Sequence, residues 1–131
     1  MKKIGIINRD ISDVVASMGH FDTLTVGDAG LPIPDNVRRI DLAVRKGVPG
    51  FLDTVETIVI ELRLEGVIIA QETFATSPHI ADGLKKILGD TPVRLVSHEE
   101  LKALTGKSKA VVRTGEFTPY ANVILVSGVA F

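Results

Sequence analysis

Few side chains in this sequence can exchange a proton near neutral pH. An imidazole is the side chain suited to that range; the chain has three, His20, His79 and His98, and no cysteine. The single tyrosine, Tyr120, stands in the polar stretch Arg113-Thr114-Gly115-Glu116-Phe117-Thr118-Pro119-Tyr120-Ala121-Asn122. Apolar runs flank that stretch, Ala110-Val111-Val112 before it and Val123-Ile124-Leu125-Val126 after it. Strand interiors rarely hold so many polar and turn-forming residues, so it reads as a connection between two strands. Loops set on rigid strands are where binding groups concentrate. Asn122 offers both a donor and an acceptor, and Tyr120 a hydroxyl and a ring face. An extended backbone there would point both side chains to one face. Asp28 adds a carboxylate in the turn Gly27-Asp28-Ala29-Gly30. Each of these residues also has a plain structural use: His20 as a helix-end cap, Asp28 as a turn former, the C-terminal block as a polar loop.

Several chemistries lack their signatures. No G-x-G-x-x-G opens a helix and no G-x-x-x-x-G-K-S/T phosphate loop is present, so a dinucleotide or triphosphate cofactor is not expected. The scattered histidines give no metal spacing. Ser12, Ser77 and Ser108 lack a G-x-S-x-G context. Lys plus Arg is 15 and Asp plus Glu is 16, a formal charge of -1, unlike the basic balance of a nucleic-acid binder. The absence of cysteine suits a cytoplasmic protein. The apolar run after Met1-Lys2-Lys3 stops at Ile7, too short for a secretory segment, and no run approaches the ~20 apolar residues of a membrane span.

The elements that must position these groups follow from hydrophobic spacing. Ile11, Val14, Val15 and Met18 form a helical stripe over Asp10–Met18, ended by Gly19. His20 lies just past that end. Thr23–Val26 is a strand, so His20 and Asp28 stand at its two ends, and at ~3.3 Å per residue they are far apart. They share a site only if the chain folds back or a second subunit supplies one of them. Ile40–Val44 reads as a strand, and Phe51, Leu52, Val55, Ile58, Val59 and Leu62 mark a helix. Val67–Ala70 reads as a strand buried on both faces, with Gln71-Glu72-Thr73 at its carboxyl end, where ligands bind in open α/β sheets. Ser77 is placed to cap the next helix, with Pro78 at its first position and His79 solvated. Val93–Val96 is a strand. Ser97-His98-Glu99-Glu100 fits a capping box, which sets His98 at a strand-to-helix junction, either exposed or beside free backbone N–H groups that favour a neutral imidazole. The order β-α-β-β-α-β-α-β-α-β-β predicts one domain over residues 1–131, α/β in class: a three-layer α/β/α arrangement with a largely parallel, mixed sheet.

Met18-Gly19-His20, Asp28-Ala29-Gly30-Leu31-Pro32, Ser97-His98-Glu99-Glu100 and the block Arg113–Asn122 together resemble the ribose pyranase and fucose mutarotase family, over essentially the whole length. The ribose branch is the closer match, because the fucose branch has a different pattern at Gly30-Leu31-Pro32 and at Glu116–Ala121. The resemblance implies an isomerase that interconverts pyranose and furanose forms of free D-ribose. By it, His20 is the catalytic acid, and Asp28, His98, Tyr120 and Asn122 bind the sugar. It also implies ring-shaped homo-oligomers, decamers or octamers, with sites between subunits. Ring change passes through the open aldehyde and alters only C–O bonds to carbon, so it needs neither cofactor nor metal. Two other readings stand beside this one: an anomeric mutarotase of the L-fucose type, and a non-catalytic pentose-binding subunit working with sugar transport.

Overall fold

The computed structural model describes all 131 residues. Asn8 opens the first helix, its side-chain oxygen accepting from the Ile11 N–H at 2.9 Å, the cap that satisfies a helix N-terminus. The elements are α1 (Arg9–Ser17), β1 (Thr23–Gly27), β2 (Arg38–Asp41), α2 (Phe51–Glu61), β3 (Leu64–Ala70), α3 (Gln71–Thr76), α4 (Pro78–Leu88), β4 (Val93–Val96), α5 (His98–Thr105), β5 (Ala110–Arg113) and β6 (Val123–Ser127). They build a six-stranded sheet in the order β2-β5-β1-β6-β3-β4. β5 is parallel to β1 and β2, and β3 is parallel to β4. β6 lies between β1 and β3 and is antiparallel to both. Every strand but β6 therefore points the same way, and the sheet is largely parallel and mixed, as the element order predicts.

Alternation along the strands divides the core between two faces. Leu24, Val26, Val67, Ile69, Val112, Val123 and Leu125 meet the apolar stripes of α1, α2 and α4. Val111, Ile124 and Ala70 point the other way, against Leu101 of α5 and Leu31 and Val37 of the connection after β1. Both faces are covered, which makes three layers. Each fully buried large side chain, such as Phe51 or Ile58, contributes about 1.5–3 kcal/mol of burial.

Four local expectations are corrected. The strand expected ahead of α1 does not form. Gly5 turns with φ +74°, the Ile6 N–H donates to Glu61 Oε1 at 2.7 Å, and the Ile6 carbonyl accepts from Ser12 Oγ at 3.1 Å. Side chains take the groups a ladder would need. The strand expected over Ile40–Val44 stops at Asp41, whose carboxylate accepts the Ala43 N–H at 3.0 Å. Gln71-Glu72-Thr73 does lie at the carboxyl end of β3, and it winds into the short helix α3, an element the predicted order lacks. Ser77 precedes α4 and Pro78 opens it, yet the serine hydroxyl does not cap that helix. It donates to the Pro119 carbonyl at 2.5 Å.

Candidate active site

Because only β6 runs backwards, its first residue lies at the same edge of the sheet as the last residues of the other strands. That carboxyl edge receives Asp28 after β1, α3 after β3, Ser97 and His98 after β4, Thr114 after β5, and Asn122 just ahead of β6. Ligands bind at such an edge where strand order switches, here beside β6.

Asn122 is fully buried. Its Nδ2 donates to Asp28 Oδ2 at 3.0 Å, and its Oδ1 accepts the Asp28 backbone N–H, also at 3.0 Å. The Gly30 N–H donates to Asp28 Oδ1 at 2.9 Å. Both carboxylate oxygens are thus oriented, and each keeps a lone pair for a hydroxyl donor. Gly27 permits this pairing: a Cβ there would lie 2.8 Å from Asn122 Oδ1 and 2.6 Å from Leu31 Cδ2. The Thr114 hydroxyl and N–H both donate to the Gly27 carbonyl, at 2.7 and 3.0 Å, and the Ala29 N–H donates to the Glu116 carbonyl at 2.8 Å. The two loops are stitched together across β1 and β5.

The charged members of the C-terminal block serve this scaffold. Arg113 donates from Nε to the Ala29 carbonyl at 3.0 Å and from a terminal nitrogen to Asp41 at 3.1 and 3.2 Å. Glu116 accepts the Phe51 N–H at 3.1 Å and the Thr118 hydroxyl at 2.8 Å. Its carboxylate meets the positive end of α2, whose N-cap, Gly50, has no side chain to do so. Asp28, Gly30, Arg113, Glu116, Phe117 and Pro119 help line an open cavity of about 360 Å³.

His98 is the first residue of α5, with Ser97 as the cap accepting the Glu100 N–H at 3.1 Å, the serine half of the expected capping box, while the Glu100 carboxylate accepts from Arg94 at 3.0 Å. The His98 ring meets the Tyr120 ring edge-on, centroids 5.0 Å apart and planes at 81°. Its Nδ1 is buried and has no partner within the chain. Tyr120 is not extended: its φ is +61°, and its carbonyl accepts the Asn122 N–H at 2.9 Å. The two side chains therefore diverge, Asn122 toward Asp28 and Tyr120 toward His98. The edge thus carries two pairs, Asp28 with the buried Asn122 amide that orients it and His98 with Tyr120, and a carboxylate, an imidazole and a phenol between them can both donate and accept hydrogen bonds with hydroxyls. His79 is exposed on α4, as expected.

His20 is elsewhere. It lies ahead of β1, at the opposite edge of the sheet, beside Arg63 and the chain end Val129–Phe131. The five residues of β1 alone separate it from Asp28 by roughly 16 Å, and the chain does not fold back. The His20 ring is exposed, stacked on Phe21 with centroids 3.7 Å apart, and its Nε2 lies 3.5 Å from Glu65. Phe21 has φ +67° and donates its N–H to the Ser127 carbonyl at 2.8 Å, so the turn is anchored to β6. Asp22 accepts the Gly19 N–H at 2.9 Å and lies 3.4 Å from Lys109 Nζ. That amide hydrogen bond foremost, aided by the lysine charge, holds the Asp22 carboxyl below its ordinary range. A depressed folded pKa contributes stability that is present above the ordinary carboxylate range and lost as pH falls through the lowered value. Urea midpoints across a pH series should therefore fall less steeply into acid for Asp22→Asn than for wild type, by under about 1 kcal/mol because the pair is solvent-screened. Parallel curves would show that the turn draws nothing from this carboxylate.

The sequence places Gln71-Glu72-Thr73 at this edge without showing what their side chains bond. Glu72 accepts the His98 N–H at 2.6 Å, and Thr73 donates to the Tyr120 carbonyl at 2.7 Å. Ser77 is legible only as a helix cap, which it is not. No helix is long and apolar enough to cross a membrane, and no group of three or more His, Cys, Asp or Glu is placed to hold a metal ion.

Residues 1–130 match the model of the RbsD / FucU transport protein family. The chain is 56% identical to the D-ribose pyranase of Symbiobacterium thermophilum and 50% identical to that of Clostridium botulinum, over all of both chains in each case. It superposes on RbsD of Bacillus subtilis, solved in complex with D-ribose, with TM-score 0.96 and 46% identity, covering all of both chains. The fucose mutarotase of Streptococcus pneumoniae, solved with L-fucose, matches at TM-score 0.79 and 22% identity over 95% of each chain, a likeness of fold.

Proposed function

The chain belongs to the RbsD / FucU transport protein family, and from that premise we propose that it is an isomerase, a D-ribose pyranase that interconverts the pyranose and furanose rings of free D-ribose for ribose utilisation. The observation that carries this reading is the full-length likeness to D-ribose pyranases. The carboxyl edge, with Asp28, His98, Tyr120 and Asn122, offers the hydroxyl-binding groups such a sugar requires.

Ring opening breaks the bond from C1 to the ring oxygen. The anomeric hydroxyl loses its proton to an acceptor and becomes the aldehyde oxygen, while an acid protonates the departing ring oxygen. Reclosure through the neighbouring hydroxyl reverses both transfers and gives the other ring. His20 is the acid in this scheme, since an imidazole can give and recover a proton near neutrality. Asp28, oriented by Asn122 and Gly30, accepts sugar hydroxyls. His98, Tyr120 and Asn122 complete the binding surface. The single domain of residues 1–131 needs neither metal nor cofactor for this chemistry.

His20 and the other four residues occupy opposite edges of one chain, so in this reading a neighbouring copy supplies the acid. A homo-oligomeric ring, a decamer or octamer with intersubunit sites, satisfies that requirement. The exposed apolar side chains Phe21 and Phe131 beside His20, and Val93 and Leu95 on the edge strand β4, are surface such an assembly would cover. A cytoplasmic setting agrees with the lack of cysteine, and neither nucleic acid nor membrane is a partner.

NMR saturation transfer on D-ribose tests the function. Substoichiometric protein should speed exchange between pyranose and furanose signals above buffer catalysis. Binding without faster exchange would make the chain a non-catalytic pentose-binding subunit instead. Light scattering in the same buffer tests the assembly, and a 14.0 kDa particle at micromolar concentration would rule out intersubunit sites.

A further inference from the structure

β3 is flanked by β6 on one side and β4 on the other. β6 begins directly after Asn122, and β4 ends two residues before His98. Any segment leaving the carboxyl end of β3 therefore starts between the loop that ends at Asn122 and the start of α5, and it passes the backbone of both. The segment that leaves it is α3, with no intervening residue.

Three side chains of this segment are spent on the backbone of its two neighbours. Glu72 Oε2 accepts the His98 N–H at 2.6 Å. The Thr73 hydroxyl donates to the Tyr120 carbonyl at 2.7 Å, and the Ser77 hydroxyl donates to the Pro119 carbonyl at 2.5 Å. Thr73 and Ser77 are buried, 0% and 5% exposed, and their four-residue spacing puts them on one face. Tyr120 needs such restraint. Its φ of +61° is a region that a bulky residue leaves unless its surroundings over-determine it. The Thr73 hydroxyl and the Asn122 N–H together use both lone pairs of the Tyr120 carbonyl. With the backbone so held, the phenol ring lands edge-on against His98.

We propose that Glu72, Thr73 and Ser77 are positioning residues, and that α3 is a clamp setting the His98–Tyr120 pair at the geometry the sugar meets. None of the three needs to touch the sugar; Glu72 and Thr73 fix the backbone of residues that do, and Ser77 fixes that of Pro119, the residue before Tyr120. The proposal rests on the D-ribose reading above for the identity of that sugar. Hydrogen bonding, not bulk, is the operative property. A threonine and a serine whose hydroxyls reach neighbouring carbonyls do what valine and alanine of like volume cannot.

The chain holds one tyrosine and no tryptophan, so tyrosine fluorescence and the near-UV tyrosine circular dichroism report on Tyr120 alone. Thr73→Val removes the donor at constant size, and Thr73→Ser keeps it. Without sugar, Thr73→Val should change the tyrosine dichroism while far-UV dichroism stays native, and Thr73→Ser should restore the wild-type signal. With D-ribose, Thr73→Val should raise Kd about tenfold, the loss of roughly one hydrogen bond, and lower exchange at saturation far less. Ser77→Ala should act in the same direction. Glu72→Gln, which still offers an acceptor to the His98 N–H, should stay closer to wild type than Glu72→Ala. Wild-type tyrosine signal and Kd in a folded Thr73→Val, Ser77→Ala double variant would overturn the clamp, as would a Thr73→Ser as impaired as Thr73→Val. Should Thr73→Val fail to fold, Ser77→Ala and the Glu72 pair decide by the same readings. If the wild-type protein itself neither binds nor exchanges D-ribose, the functional reading falls, while the sugar-free tyrosine signal still decides the clamp.

Discussion

His20→Ala should lower D-ribose ring exchange at saturating sugar by about 10²-fold or more, the usual worth of a positioned acid, with little change in thermal stability. The ring is exposed, past the end of α1, and contributes nothing to the core; its contacts are the stack on Phe21 and the approach of Glu65. Saturation transfer at ribose concentrations well above Kd measures the effect, and calorimetric titration shows whether binding persists. Exchange near wild type in a folded, assembled variant would return His20 to the part of a helix-end residue.

Asn122→Ala should act on binding first. The amide is fully buried and makes two of the three hydrogen bonds that hold Asp28. Removing it leaves the Asp28 N–H and one carboxylate oxygen unpaired, at about 1–3 kcal/mol per stranded group. Ribose Kd should therefore rise at least about tenfold, and the unfolding midpoint should drop. Exchange at saturation should fall far less than in His20→Ala. Wild-type affinity would remove Asn122 from the site, and lost exchange with normal affinity would move it into the proton-transfer machinery. The two variants also test the assembly. If His20 serves a neighbour's carboxyl edge, co-refolding equal amounts of the two chains should, at ribose concentrations below the Kd of Asn122→Ala where each variant alone exchanges little, restore exchange at on the order of a quarter of the sites, half of one contributor times half of the other. If each site belongs to one chain, mixing restores nothing.

Much of this architecture is legible in the sequence because it rests on local spacing. The stripe Ile11, Val14, Val15, Met18 and the run Val67–Ala70 declare helix and strand within a few residues, where burial repeats at 3.6 or follows a short apolar run. The block Arg113–Asn122 announces itself as a loop by what a strand cannot hold, and Ser97-His98-Glu99-Glu100 as a helix start by its own capping geometry. The family, and through it the candidate residues, follow from motifs of this kind. Local spacing also exposes the separation of His20 from Asp28, since both lie at the ends of one strand.

Tertiary structure alone decides which segments meet. The Asn122–Asp28 pair spans 94 positions, Thr73 reaches Tyr120 across 47, and Ser77 reaches Pro119 across 42. Such contacts are fixed by strand order, and nothing in the local pattern of β3 states that β6 will lie on one side of it and β4 on the other. Ser77 shows the consequence. A serine before a proline-led helix reads as a cap from local chemistry, yet the fold brings a carbonyl of the distant loop within reach and the hydroxyl goes there. Tyr120 shows it again: its left-handed backbone is unfavourable taken alone, and the distant Thr73 hydroxyl joins the neighbouring Asn122 N–H in holding it.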